Sequence, residues 1–124
     1  MKAIVKAMWV DSATINLDNY FPEDSENFGL WIEFRAGPPE LHSADDFRLL
    51  VCTPEWLKNN GVQKKTLWGR HMLIVLEYDI SAIKAAIDQC VESCTGKDFG
   101  EIAQKISRFA AWEFEDHQLS GAAE

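Results

Sequence analysis

The chain reads as an α+β fold: a two-layer sandwich with a mostly antiparallel four-stranded sheet and two C-terminal helices on one face. Three observations predict it. Apolar and polar residues alternate through the first half, the period of half-buried strands. Beyond residue 79, two stretches repeat instead at helical spacing. Strands come first and two amphipathic helices follow, and such helices cannot stand alone, so they cover the sheet's apolar face. At 124 residues, residues 1–124 make one domain with one core.

The elements follow in order. Residues 2–10 form a strand with Ala3, Val5, Ala7 and Trp9 on one face, which points Trp9 to the core. Residues 11–27 carry Asp18, Glu23, Asp24 and Glu26 with no basic residue, and Pro22 interrupts them. That is a long loop, and loops of this length in compact domains are often functional. Residues 28–35 alternate again, with Phe28, Leu30, Ile32 and Phe34 inward and Trp31, Glu33 and Arg35 outward. Gly37, Pro38 and Pro39 end that strand. Phe47, Leu49 and Val51 begin a third, which ends near Cys52.

Thr53 then fits a helix N-cap, with Pro54 at the first helical position, where its missing N–H costs nothing. Asn59, Asn60 and Gly61 stop this short helix. A fourth strand, about His71 to Tyr78, is apolar on both faces in its middle and reads as central. Asp79 or Ser81 caps a helix bearing Ile80, Ile83, Ile87, Cys90 and Cys94, which Gly96 closes. Asp98 and Glu101 make a capping-box pattern for a second helix with Phe99, Ile102, Ala103, Ile106 and Ala110 as its stripe. The WEFED segment at 112–116 alternates as a short extended piece, and the tail from His117 frays.

Charge and composition exclude several functions. Twenty acidic residues against twelve basic ones give a net charge of −8. Such a surface repels phosphate backbones, so no nucleic-acid partner is expected, and it attracts basic proteins. The N-terminal stretch is interrupted by Lys6 and Asp11 too early for a secretion signal, and no apolar run reaches membrane-spanning length. A cytoplasmic protein without a membrane partner is the expectation. The three cysteines, Cys52, Cys90 and Cys94, fall at apolar positions and read as core thiols in a reducing compartment.

No catalytic set emerges. Cys90 and Cys94 could reach one ion, but a structural zinc site takes four ligands and no second pair exists. Cys52 and His71 would need adjacent strands to form a nucleophile and base, and apolar neighbours make Cys52 inert. The carboxylates Asp45, Asp46, Glu113, Glu115 and Asp116 lie on polar segments as a solvated face, without the apolar pocket an acid needs. There is no P-loop and no G-x-S-x-G elbow, and no cofactor or metal is implied. Arg70 suits a strut pairing with Asp79 or the WEFED segment, or a grip on a partner. Trp31 and Trp68 fit either an interface or a site covered by loops and helix edges.

Four segments carry a resemblance. PEDSENFGLWIEF at 22–34, LLVCTPEWL at 49–57, WGRHMLIVLEYD at 68–79 and WEFED at 112–116 are similar, in order and spacing, to the immunity-protein-8 family of bacterial polymorphic toxin systems. The resemblance runs over nearly the whole chain and implies a small cytoplasmic antidote. Such a protein binds a cognate toxin domain and protects the producing cell, with no active site of its own. Its partner would be a protein toxin, a basic one suiting the acidic chain, and its own state a monomer or a dimer. The partner-binding patch expected is Asp18, Glu23, Asp24 and Glu26, joined by Trp31, Asp45 and Asp46. Two readings of other kinds stand beside it: a small hydrolase using carboxylates with His71, and a subunit that self-associates through the uncovered sheet face.

Overall fold

The computed structural model describes residues 1–61 and 65–114. Among them the order is β1 (Ile4–Val10), β2 (Gly29–Gly37), β3 (Asp45–Cys52), α1 (Pro54–Trp56, continued by a wide turn over Leu57–Gly61), β4 (Met72–Ile74), α2 (Ile80–Ser93), α3 (Phe99–Ile106) and β5 (Ala111–Trp112). β1, β2 and β3 form an antiparallel meander. β4 pairs parallel to β3 at its Leu50–Cys52 end, and β5 pairs antiparallel to the same strand at Phe47 and Arg48. An α+β sandwich with α2 and α3 on one face results, as the hydrophobic pattern requires.

The core lies between that face and the two helices. Phe34 stacks on Phe47 at 5.4 Å between ring centroids. Ile32 and Val51 from the sheet meet Ile83, Ile87 and Val91 of α2 and Ile102 and Ile106 of α3. Each such side chain, fully buried, stabilises the fold by about 1.5–3 kcal/mol. The helix starts are those the sequence marks. Asp79 caps α2 by accepting from Ala82 N at 3.1 Å, and Asp98 caps α3 by accepting from Glu101 N at 2.9 Å. Ala110 falls beyond α3 but remains buried.

Thr53 does more than cap. Its hydroxyl accepts from Trp56 N at 3.3 Å and from Phe28 N at 3.2 Å. It therefore ties the start of α1 to the end of the acidic loop, at a fully buried position. Trp56 in turn lies against Gly29, where a Cβ would come within 2.2 Å of the indole. Only glycine admits that approach.

Two expectations are corrected. Trp9 is not a core residue. The β1–β2 register slips at Lys6, between Val5 and Ala7, and a β-bulge of one residue sends every later side chain to the other face. Ala3 and Val5 pack inward before it, Met8 and Val10 after it, so Ala7 and Trp9 stand on the open face. Lys6 itself donates to the carbonyl oxygens of Leu41 and Ser43 in the β2–β3 turn.

The fourth strand is not central either. It spans three residues, runs parallel to β3 and sits at the sheet's margin. Its last residue, Ile74, is 53% exposed, and Leu76, just beyond it, is 80% exposed. His71, just before it, adopts a left-handed backbone (φ 57°).

The loop over residues 11–27 contains no helix or strand, yet it is fastened. Leu17 is buried, Tyr78 N donates to Ser25 O at 2.7 Å, and Lys84 of α2 pairs with Asp18 at 3.0 Å. Tyr20, Phe21 and Phe28 pack edge-on around Tyr78.

Candidate partner-binding surface

The open sheet face carries a connected array of aromatic and charged side chains. Register places Trp9 opposite Glu33, Arg35 opposite Asp46, and Glu33 opposite Arg48. Trp9 Nε1 donates to Glu33 Oε2 at 2.7 Å. Arg35 lies over the Trp9 ring at 5.5 Å and grips Asp46 with two donors, at 2.8 and 3.3 Å. That hydrogen bond, then the charge of Asp46 and more weakly that of Glu113, raises the Arg35 pKa and holds it charged. Asp46 N donates to Glu113 Oε1 at 2.9 Å, and Glu113 N to Asp46 O at 3.1 Å.

Arg48 covers Trp31 with its guanidinium 4.3 Å from the ring centroid and reaches Asp11 at 3.8 Å. Trp31 remains 42% exposed. These exposed pairs add little stability each. Their effect is to fix rotamers, so Trp31 and Arg48 stand ordered on this face, and both are residue types enriched where proteins bind one another.

The face is concave. A hollow of about 650 Å³ is lined by Trp31, Glu33, Arg48, Arg70, His71 and Glu113, among others. It brings His71 near three carboxylates, counting Asp46, yet each group is already engaged. Glu33 is held by Trp9, Asp46 by Arg35 and Glu113 by the Asp46 amide, while His71 Nε2 sits 2.9 Å from the Ser107 carbonyl oxygen. Cys52 pairs in register with Ile74, not His71, and burial raises its thiol pKa. Among the described residues, no group of three or more His, Cys, Asp or Glu side chains is gathered as a metal site would need. Cys94 Sγ instead donates to the Cys90 carbonyl at 3.3 Å.

The residues expected to bind a partner do not form one patch. Trp31 and Asp46 share the open face. Asp45 projects to the other side, where its carboxylate accepts from Trp112 Nε1 at 3.0 Å. Asp18 is drawn toward α2 by Lys84. Glu23 and Asp24 line a separate hollow with Tyr20 and Trp56, and Asp24 Oδ1 accepts from Glu26 N at 2.9 Å within a tight turn. No local pattern marks Arg48 as a partner of Trp31, because the contact depends on β2–β3 register. Arg70 lines the open hollow and is exposed. Asp79, one of its two expected partners, caps α2, and residues 115–116 of the other lie outside the described residues, as does the tail from His117.

A family model, Immunity protein 8, matches residues 3–117. The chain belongs to the Immunity protein 8 family. The match spans every element of the sandwich, from β1 to β5. It thereby assigns this Immunity protein 8 domain to the proteins that confer immunity against toxins. No curated protein and no solved structure matches it. No helix among its described residues is long and apolar enough to cross a membrane.

Proposed function

We propose that this chain binds the toxin domain of a cognate polymorphic toxin and neutralises it by occupying its surface, one chain per toxin, in the cytoplasm of the producing cell. Membership of the Immunity protein 8 family carries the reading. The ordered array around Trp31 and Arg48 supports it as a contact surface, with Asp46 on the same face. The acidic loop, with Glu23, Asp24 and Glu26, and the side positions Asp18 and Asp45 then form a negative periphery. A net charge of −8 speeds encounter with a basic toxin and opposes its approach to nucleic acid. Every polar group of the open hollow named above has a structural partner, which favours recognition over chemistry.

Co-expression tests this reading. A toxin-like domain found encoded beside this chain's gene should stop growth alone and permit growth when this chain is present. Growth arrest that persists with both proteins made, soluble and mixed would contradict it.

A further inference from the structure

The margin of the sheet holds a second concavity. Beside β4, on the helix-covered side, α2 and the turn after α3 stand apart and leave an open cleft of about 500 Å³. Phe34 and Leu49 of the sheet, Leu73 of β4, Ile87 and Cys90 of α2, and Phe109 line it. Its size is that of a ligand pocket, and its apolar lining is typical of one. The apolar surface continues outside it: Phe109 is 51% exposed, and Trp68, next to the lining Gly69, is 95% exposed.

Its charge runs against the rest of the molecule. The chain has twenty acidic and twelve basic residues, yet none of the described residues lining the cleft is acidic, while Arg108 and His71 both line it. Arg108 is exposed, and its guanidinium enters none of the ion pairs among the described residues. β4 is the marginal strand, so its outer edge is unpaired among those residues. His71 also lines the hollow on the open face, so the two concavities meet at the start of β4.

We propose that this cleft receives an extended segment of the toxin in which an apolar side chain stands beside a carboxylate. The apolar side chain fills the cleft, the carboxylate meets Arg108, and the segment's backbone runs along the outer edge of β4. This rests on the immunity reading and deepens it, by naming the chemistry of one element of the partner. A peptide suits the site better than a fatty acid of the same polarity, because a strand edge offers backbone donors and acceptors that an acyl chain cannot use. Three residues of edge span only about 10 Å, so the apolar anchor and Arg108 supply most of the hold.

The test titrates the neighbouring-gene toxin domain, inactivated by mutation, into the full chain by calorimetry. Arg108→Glu and the cleft-filling Ala86→Phe should each weaken binding at least about tenfold. Arg108→Lys should stay within about threefold. Arg108 is exposed, so its variants should keep the native melting temperature and carry the test alone if Ala86→Phe fails to fold. Affinities within about twofold of native for the Arg108→Glu chain would overturn the proposal while leaving the immunity reading intact. Absence of binding by the unaltered chain would instead contradict the immunity reading itself. Sodium dodecanoate that occupies the cleft without weakening toxin binding would also overturn the proposal.

Discussion

Replacing Thr53 by alanine tests how the acidic loop, α1 and the sheet are held together. The substitution removes an acceptor used by two backbone amides, those of Trp56 and Phe28. Losing the cap costs about 1 kcal/mol. Leaving the Phe28 N–H in the core without an acceptor costs about 1–3 kcal/mol more, and the lost methyl group about 1 kcal/mol. The expected total is about 3–5 kcal/mol, a large share of the roughly 5–15 kcal/mol that holds a domain folded. For 124 residues, an unfolding entropy of about 2.1 cal/mol/K per residue turns 3 kcal/mol into a fall of about 12 °C in Tm.

Urea unfolding followed by tryptophan fluorescence, with thermal melts by circular dichroism, measures it. Thr53→Ser keeps the hydroxyl and should cost only about 1 kcal/mol. Thr53→Val keeps the shape and should cost about 2–4 kcal/mol. A Thr53→Val protein within about 1 kcal/mol of native would show that packing, not the shared hydroxyl, makes this junction.

Three further outcomes follow from the surface and the thiols. Trp31→Ala should leave stability within about 1 kcal/mol and weaken toxin binding about tenfold or more. Reversing Glu23, Asp24 and Glu26 should mainly slow association and flatten its salt dependence; unchanged association rates would remove the loop from the encounter. Burial first, and then the neighbouring Cys94, push the Cys90 thiol up to about 11. The unfolded thiol titrates lower, near 8.5, so the folded state keeps a proton that the unfolded state releases. That contribution is complete below the unfolded value and is lost as pH rises through 11. Denaturant midpoints of Cys90→Ala should therefore fall less steeply with pH over this window than those of the native chain, and parallel curves would refute the assignment.

The helices were legible because their marks are local. Asp79, Asp98 and the Thr53–Pro54 pair act within one turn, and the stripe from Ile83 to Val91 repeats at the helical period. β1 was ambiguous because both phases of its sequence are apolar: Val5 and Trp9 lie on one, Met8 and Val10 on the other. Only pairing with β2 reveals that Lys6 bulges and exchanges them. The run from Met72 to Leu76 reads as central in the sequence because a continuous apolar stretch usually means burial on both faces. Here Leu73 and Val75 face the core, while Ile74 and Leu76 are left exposed.

For the candidate surface, alternation in β2 was enough to send Trp31 outward. It said nothing of Arg48, which reaches Trp31 from the neighbouring strand. Sequence alone groups the loop carboxylates with Asp45 and Asp46 by their charge, not by any knowledge of which face each occupies. In three dimensions Lys84 draws Asp18 to the helix side and Trp112 holds Asp45 on the face opposite Asp46. Long-range ion pairs and cross-strand contacts, invisible to local pattern, decide which charges share a surface.

We propose that this chain acts by occupancy, not by turnover. Titrating it into a fixed amount of active toxin domain, and assaying residual toxin activity after each addition, tests that most directly. Occupancy predicts a linear fall that reaches zero at one equivalent and does not deepen with longer incubation. Complete loss of toxin activity at a few hundredths of an equivalent, growing with time, would mean that the chain destroys or modifies its target.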